Sequence, residues 1–164
     1  MVDGLGVTGS YNPGTTGADS ATAYALSYTG VEGLSVAYGK GNGSSPSVDL
    51  DVTTLDVSYA MGSFTVGYSK TDYDSATALA DKETTGMGIT YTVSDELSIT
   101  YGADKIEADA TAATQDAEFD ALSVAYTAGG MTISAAMKNA DNIDGTTTAT
   151  EDREMWSLGA SFAF

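Results

Sequence analysis

The sequence contains no cysteine and no histidine among its 164 residues. The absence of cysteine removes disulfide cross-links, thiolate nucleophiles and cysteine-based metal sites. The absence of histidine removes the usual general base near neutral pH and the commonest protein ligand for transition metals. A hydrolase built on the usual Ser-His-Asp triad is therefore excluded, and we expect the chain not to be an enzyme.

Basic residues are scarce, with 6 Lys and Arg against 23 Asp and Glu, which gives a formal net charge of −17. No basic patch can form to neutralise a phosphate backbone, so we expect no nucleic-acid partner. No run of about 20 apolar residues occurs, which excludes a membrane-spanning helix. Met1 leads directly into the segment 2–5 without the basic and apolar stretches of a secretory leader. We therefore expect a mature form, a fragment or an engineered expression product.

A repeated hairpin unit dominates what is present. Each copy has an aromatic residue, a short turn, and a stretch in which large apolar and small polar residues alternate before a lysine. Four copies occupy residues 27–40, 58–70, 90–105 and 125–138. Alternation with a period of two indicates β-strands with two different faces. Glycine or Ser-Asp in the short segments is typical of tight hairpin turns.

The alternation predicts an all-β chain with ten strands in a single domain, residues 1–164. The predicted strands are 5–11, 19–28, 34–41, 50–60, 63–72, 83–93, 97–106, 118–128, 131–139 and 154–164. Several approach the length of about 9–11 residues that a tilted strand needs to cross a bilayer.

The connections between these strands differ in length at the two ends of the sheet. Those at one end are tight turns, and those at the other are long and rich in Asp, Gly, Ser, Thr and Ala. The long connections are predicted near 12–18, 42–49, 73–82, 107–117 and 140–153. Short turns opposite long polar loops are characteristic of transmembrane β-barrels. We therefore predict an antiparallel up-and-down transmembrane β-barrel.

Aromatic residues recur on the face that carries the large side chains. Rings with a polar tip favour the headgroup level of a bilayer, so this recurrence predicts an aromatic girdle. The predicted girdle residues are Tyr28, Tyr59, Tyr91, Tyr126, Trp156 and Phe162. A soluble β-sandwich filled with tyrosine is the alternative interpretation of the same pattern.

The opposite face carries small polar side chains, which suit a water-filled lumen. The predicted lumen-facing residues are Asp56, Ser58, Thr65, Ser69, Thr90, Ser98, Thr100 and Ser123. Because Asp56 points inward beneath an acidic mouth, we expect the pore to prefer cations. Residues as small as Gly, Ala, Ser and Thr cannot readily plug a ten-strand barrel, which favours a channel.

All six basic residues lie toward the side of the long connections. Lys40, Lys70 and Lys105 share the parity of the outward residues, so they could contact anionic lipid phosphates at the outer rim. Ordinary solvation of long side chains is the alternative. The carboxylates of the long connections could bind Ca²⁺ or Mg²⁺ weakly. They lack the spacing of an EF-hand loop, so we favour solvated loops and expect no cofactor.

The last predicted strand alternates Trp156, Leu158, Ala160, Phe162 and Phe164 on one face and stops on the aromatic residue. Such an ending resembles the assembly signal of outer-membrane barrels, which implies that the barrel-assembly machinery reads Phe164. The whole chain resembles the C-terminal part of Gram-negative porins, particularly the compact, acidic, glycine-rich alphaproteobacterial type.

The resemblance implies a bacterial outer-membrane location, passive diffusion of small hydrophilic solutes and ions, assembly as a trimer, and contact with lipopolysaccharide. Porins of this family usually have sixteen strands, so we expect this chain to be roughly strands seven to sixteen. The segment 2–5 echoes 31–34, as if the chain began at a short turn. A complete ten-strand barrel is the alternative for the fold. A small monomeric barrel acting as an anchor or adhesin through acidic loops is the alternative for the function.

Overall fold

The computed structural model describes residues 3–14, 20–45, 48–75, 81–108, 116–143 and 151–163. These residues form ten β-strands, which are β1 (Leu5–Asn12), β2 (Ala21–Tyr28), β3 (Leu34–Ser45), β4 (Val48–Met61), β5 (Phe64–Ser75), β6 (Lys82–Thr92), β7 (Leu97–Ala108), β8 (Ala117–Ala128), β9 (Met131–Asp141) and β10 (Arg153–Phe162). Each strand pairs with the next in sequence, giving one sheet with the order β1 to β10. In these ranges no helix is long and apolar enough to cross a membrane.

The predicted all-β, up-and-down, antiparallel architecture is therefore confirmed, with ten strands at the predicted places. Within the described residues, β1 and β10 each pair on one side only, so the sheet is open. One predicted connection is wrong. Residues 42–49 were expected to form a long polar loop, but β3 continues to Ser45 and β4 begins at Val48. Ladder bonds join backbone groups and do not require apolar side chains, so pairing continues beyond the apolar part of the hairpin.

The sheet has two chemically different faces because the strand register matches the alternation of the sequence. Directly opposed residues of an antiparallel pair share a face. Leu34 lies opposite Tyr59, which lies opposite Val66, whereas Ser58 lies between Ser35 and Gly67. We call the face of Leu34, Tyr59 and Val66 the apolar face and the opposite one the small-residue face.

The apolar face is exposed, and the described residues enclose almost no interior. Ala117 is the one buried hydrophobic residue in the described part of the chain. Leu158 and Trp156 remain 81% and 71% exposed. A soluble β-sandwich would cover such a face with a second sheet. An uncovered apolar face of this extent suits contact with lipid.

Glycines in the left-handed region lie in several of the short turns. Gly129 and Gly130, with φ of 57° and 79°, connect β8 to β9, as a two-residue hairpin turn requires. The similarity between segments 2–5 and 31–34 extends to the backbone, since Gly4 and Gly33 have φ of 76° and 77°. Each accepts an additional backbone hydrogen bond of 2.8 Å, Gly4 from Thr29 and Gly33 from Ala60.

We expect Gly33→Ala to destabilise the full-length protein. A Cβ at Gly33 would lie 2.3 Å from the carbonyl oxygen of Ala60, and the left-handed conformation itself costs an L-residue about 1–2 kcal/mol. Gly43→Ala is the matched control, because a Cβ there meets nothing within 4 Å. The measurement is the thermal unfolding midpoint, followed by circular dichroism in detergent. Equal unfolding midpoints for the two variants would contradict the claim that the turn at Gly33 requires glycine.

Candidate functional site

The small-residue face presents its polar groups in transverse rows that follow the register from strand to strand. One row consists of Asp56, Ser69, Gly86 and Asp104 on β4, β5, β6 and β7. A Cβ built on Gly86 would lie 2.5 Å from Asp104 Oδ1 and 2.7 Å from Ser69 Oγ. The side chains of Ser69 and Asp104 therefore converge over Gly86 from the two neighbouring strands.

The next row toward the short turns contains Gly67, Gly88 and Gly102 on three adjacent strands. A Cβ at these positions would meet its nearest heavy atom at 4.0, 3.6 and 3.7 Å respectively. Ordinary side chains would therefore fit there, so the glycines are not imposed by backbone crowding. Because glycine has no side chain, they leave the part of the small-residue face next to Ser69 and Asp104 without side-chain bulk. We call this part the bare wall.

The third row consists of hydroxyl side chains, Thr65, Thr90, Thr100 and Ser123. The hydroxyl oxygens of Thr90 and Thr100 lie 3.0 Å apart and share a hydrogen bond. A depression of about 320 Å³ above this row is lined by Asp56, Ser58, Ser69, Gly86 and Asp104, among others. The surface combines accessible acceptors and donors with little side-chain bulk, as a wall in contact with water would.

All eight residues that the sequence analysis assigned to a lumen lie on the small-residue face. The register brings seven of them into the three rows just described, and Ser98 lies opposite Ala125 on the same face. The sequence analysis missed further charged residues of this face: Lys82, Asp104, Lys138 and Arg153. The parity of each strand could have identified them, because Asp104 is an odd number of residues from the apolar-face Tyr101.

The carboxylates are distributed unevenly between the two faces. On the described strands, the small-residue face carries two of them, Asp56 and Asp104. The apolar face carries more, all toward the long connections: Asp51, Asp72, Asp74, Glu83, Glu107, Glu118, Asp120, Asp141 and Glu154. Much of the acidic excess therefore surrounds the end of the sheet that carries the long connections, which we call the outer end.

The predicted girdle residues lie on the apolar face, but at two heights. Tyr28, Tyr59, Tyr91 and Tyr126 lie at or near strand ends that precede short turns. Phe162, opposite Met131, lies at the same end. Trp156 is six residues from Phe162, a distance of about 20 Å along an extended strand, and the register places it level with Tyr101. Phe164 lies outside the described residues.

The three lysines on the apolar face differ in their partners. Lys70 Nζ lies 2.9 Å from Glu83 and 3.3 Å from Asp72. Lys105 Nζ contacts Glu107 and lies 2.9 Å from Asp116. In the described part of the chain, no ion pair joins Lys40 to a carboxylate. Lys70 and Lys105 therefore tie neighbouring strands together, whereas Lys40 has no carboxylate partner among the residues that the structure describes.

A second depression, of about 390 Å³, lies at the outer ends of β5, β6 and β7. It is lined by six carboxylates together with Tyr73 and Lys82; the six are Asp72, Asp74, Asp81, Glu83, Glu107 and Asp116. Among the residues that the structure describes, no three His, Cys, Asp or Glu side chains are grouped to hold a metal ion. Asp109 and Asp144, in two of the long connections, lie outside the described residues.

Comparisons with known proteins agree with this architecture. The family model described as Gram-negative porin matches residues 1–105. A comparison with curated proteins gave no match.

Among solved structures, the chain is similar to OccK10 (OpdN) of Pseudomonas aeruginosa, with 13% identity and a TM-score of 0.71 over 99% of this chain and 59% of that chain. OmpT of Vibrio cholerae, expressed in the outer membrane, gives 16% identity and a TM-score of 0.66, covering 99% of this chain and 62% of that one. OccK8 (OprE) of P. aeruginosa gives 12% identity and a TM-score of 0.62, covering 97% of this chain and 53% of that one. The chain therefore spans somewhat more than half the length of the structures it matches.

Proposed function

This chain belongs to the Gram-negative porin family, and from that premise we propose that it forms the wall of a passive pore. Its place is the outer membrane, where the apolar face contacts lipid and the small-residue face lines the pore. Small hydrophilic solutes and ions diffuse through that pore without a chemical step at the wall.

The bare wall of β4 to β8 is the observation that carries this proposal. Three adjacent strands present Gly67, Gly88 and Gly102 where ordinary side chains would fit. A barrel acting only as an anchor or adhesin gains nothing from that clearance, since a filled interior stabilises it. Hydroxyl groups such as those of Thr90 and Thr100 can exchange hydrogen bonds with passing water and solute.

We propose in addition that the pore prefers cations. On the small-residue face the basic residues Lys82, Lys138 and Arg153 outnumber the two aspartates, so the total charge of the wall does not determine the preference. The positions of the carboxylates do. Asp56 and Asp104 flank the bare wall on the small-residue face. A cation that passes this part of the pore therefore meets both carboxylates.

The test is the reversal potential of the full-length protein in planar bilayers under a potassium chloride gradient. We expect a cation-selective potential that falls when Asp56→Asn and Asp104→Asn are combined, because both carboxylates then lose their charge. Asp141→Asn is the control, since Asp141 lies on the apolar face. Absence of any conductance would contradict the pore, whereas anion selectivity in the unaltered protein would contradict only the cation preference.

We propose that the contact with lipopolysaccharide, expected above for three lysines, depends mainly on Lys40. Its amine lacks a carboxylate partner in the described part of the chain, whereas Lys70 and Lys105 are each held by two. A lipid phosphate would have to displace those carboxylates before it could bind either lysine. Lys40 lies opposite Tyr24 on the apolar face, beside a ring suited to the bilayer interface.

Lys40→Gln should reduce the lipopolysaccharide that copurifies with the full-length protein in mild detergent. Lys70→Gln serves as the matched control and should leave the amount nearly unchanged. The lipid is measured as phosphate or fatty acid per mole of protein. An unchanged amount after Lys40→Gln, or a larger loss after Lys70→Gln, would exclude this role for Lys40.

A further inference from the structure

A third cavity, of about 480 Å³, also lies on the small-residue face, between β7 and β10. Phe119, Ile143 and Met155 give it apolar walls, and four side chains bring charge to it: Asp104, Asp120, Lys138 and Arg153. The carboxylate of Asp120 already accepts a hydrogen bond from the side-chain amide of Asn139 at 3.2 Å. Phe119 and Met155 are large apolar side chains on the small-residue face, lying opposite Asp104 and Lys138 respectively. The cavity is therefore chemically unlike the bare wall of β4 to β8.

The end of the β9–β10 connection shapes the outer side of this cavity. Asn142 has a φ of 53°, and its backbone N–H donates to Asp152 Oδ1 at 3.2 Å. The backbone N–H of Ile143 donates to the carbonyl oxygen of Glu151, also at 3.2 Å. These bonds join the two sides of the connection and hold Ile143 at the cavity before any ligand binds.

Two charges of opposite sign are available in the cavity. Lys138 and Asp104 form no ion pair with each other or with another side chain in the described ranges, in contrast to Lys70 and Lys105. Arg153 is held by Glu151, whose carboxylate lies 3.1 Å from the guanidinium group. The positions of Lys138 and Asp104 are two strands apart and two residues apart along the strands, about 10 Å across the sheet and about 7 Å along it. A ligand can contact both charges where the long side chain of Lys138 spans part of this gap.

We propose that this cavity binds short apolar peptides with free termini, of which a dipeptide is the smallest. The peptide carboxylate would contact the amine of Lys138, its ammonium group would contact Asp104, and its side chains would pack on Phe119 and Met155. Two residues of extended chain span about 7 Å, and the long side chain of Lys138 would span the remainder of the distance to Asp104. The volume lies within the range of about 300–1,000 Å³ that is usual for small-molecule sites.

This inference rests on the proposed pore, because the cavity opens on the face assigned to the passage of solutes. It adds a saturable site to a wall along which solutes otherwise diffuse without specific binding. A solute with only one charge, or without an apolar side chain, would leave a charged or apolar part of the cavity without a partner, so it should bind more weakly.

The experiment measures block of potassium chloride conductance by Ala-Phe in bilayers containing the full-length protein. The comparison ligands are acetylated Ala-Phe, which lacks the ammonium group; Ala-Phe amide, which lacks the carboxylate; and Ala-Ser, which lacks the large apolar side chain. We expect saturable block by Ala-Phe and about tenfold weaker block by each of the other three, as loss of one charged hydrogen bond or one buried side chain implies.

Lys138→Gln should weaken the block by Ala-Phe about tenfold, and Lys138→Arg should retain it. Lys82→Gln is the matched control, because it removes the same charge from the small-residue face outside this cavity. Calorimetric titration of the detergent-solubilised protein with Ala-Phe measures the affinity without requiring conduction. A failure of the pore is thereby distinguished from a failure of the site.

Conductance without block, equal block by all four ligands, or equal effects of Lys138→Gln and Lys82→Gln would overturn the inference. The same holds if calorimetry detects no binding of Ala-Phe. Heat-dependent gel migration of each variant verifies that the barrel is folded before it is compared.

Discussion

The backbone of this chain must satisfy its hydrogen bonds inside the sheet, because lipid offers no partner to a free N–H or C=O group. Within the described residues, the antiparallel ladder meets that requirement for β2 to β9 and for one side of β1 and of β10, and at the same time it fixes which residue faces which medium. A shift of one residue in any strand would exchange its two faces. The register therefore determines the contact of the apolar face with lipid and of the small-residue face with water.

The positions of the charged side chains follow from the same strand register. Carboxylates on the apolar face are confined to the outer end of the strands, where the side chain can leave the apolar layer. Lys70 lies directly opposite Leu55 and Thr85, yet its amine reaches Glu83 on the neighbouring strand. Lys70 and Lys105 thus stabilise the outer ends of the sheet by offsetting repulsion among carboxylates. Asp56 and Asp104 carry charge to the pore wall. The chemistry of the wall changes again at β8 to β10, where Phe119 and Met155 introduce apolar surface.

The sequence was sufficient to predict the strands and their faces, because a period of two is a local signal that each strand carries by itself. Ser58, Thr65 and Thr90 could be assigned to one face without knowledge of their neighbours. Properties that depend on several strands could not be predicted. The pairing of Lys70 with Glu83, the convergence of Ser69 and Asp104 over Gly86, and the height of Trp156 all require the register. The continuation of β3 to Ser45 was missed because the prediction relied on apolar residues, whereas pairing depends on the backbone.

The central claim is that the small-residue face meets water and the apolar face meets lipid. Because the chain has no cysteine, single cysteines can be placed at Ser69 and Thr90 on one face and at Val57 and Ile89 on the other. The decisive measurement is the rate of labelling by a membrane-impermeant, water-soluble thiol reagent in the full-length protein reconstituted in lipid. We expect rapid labelling at Ser69 and Thr90 and protection at Val57 and Ile89. Protection at the first two positions with labelling at the last two would contradict the account.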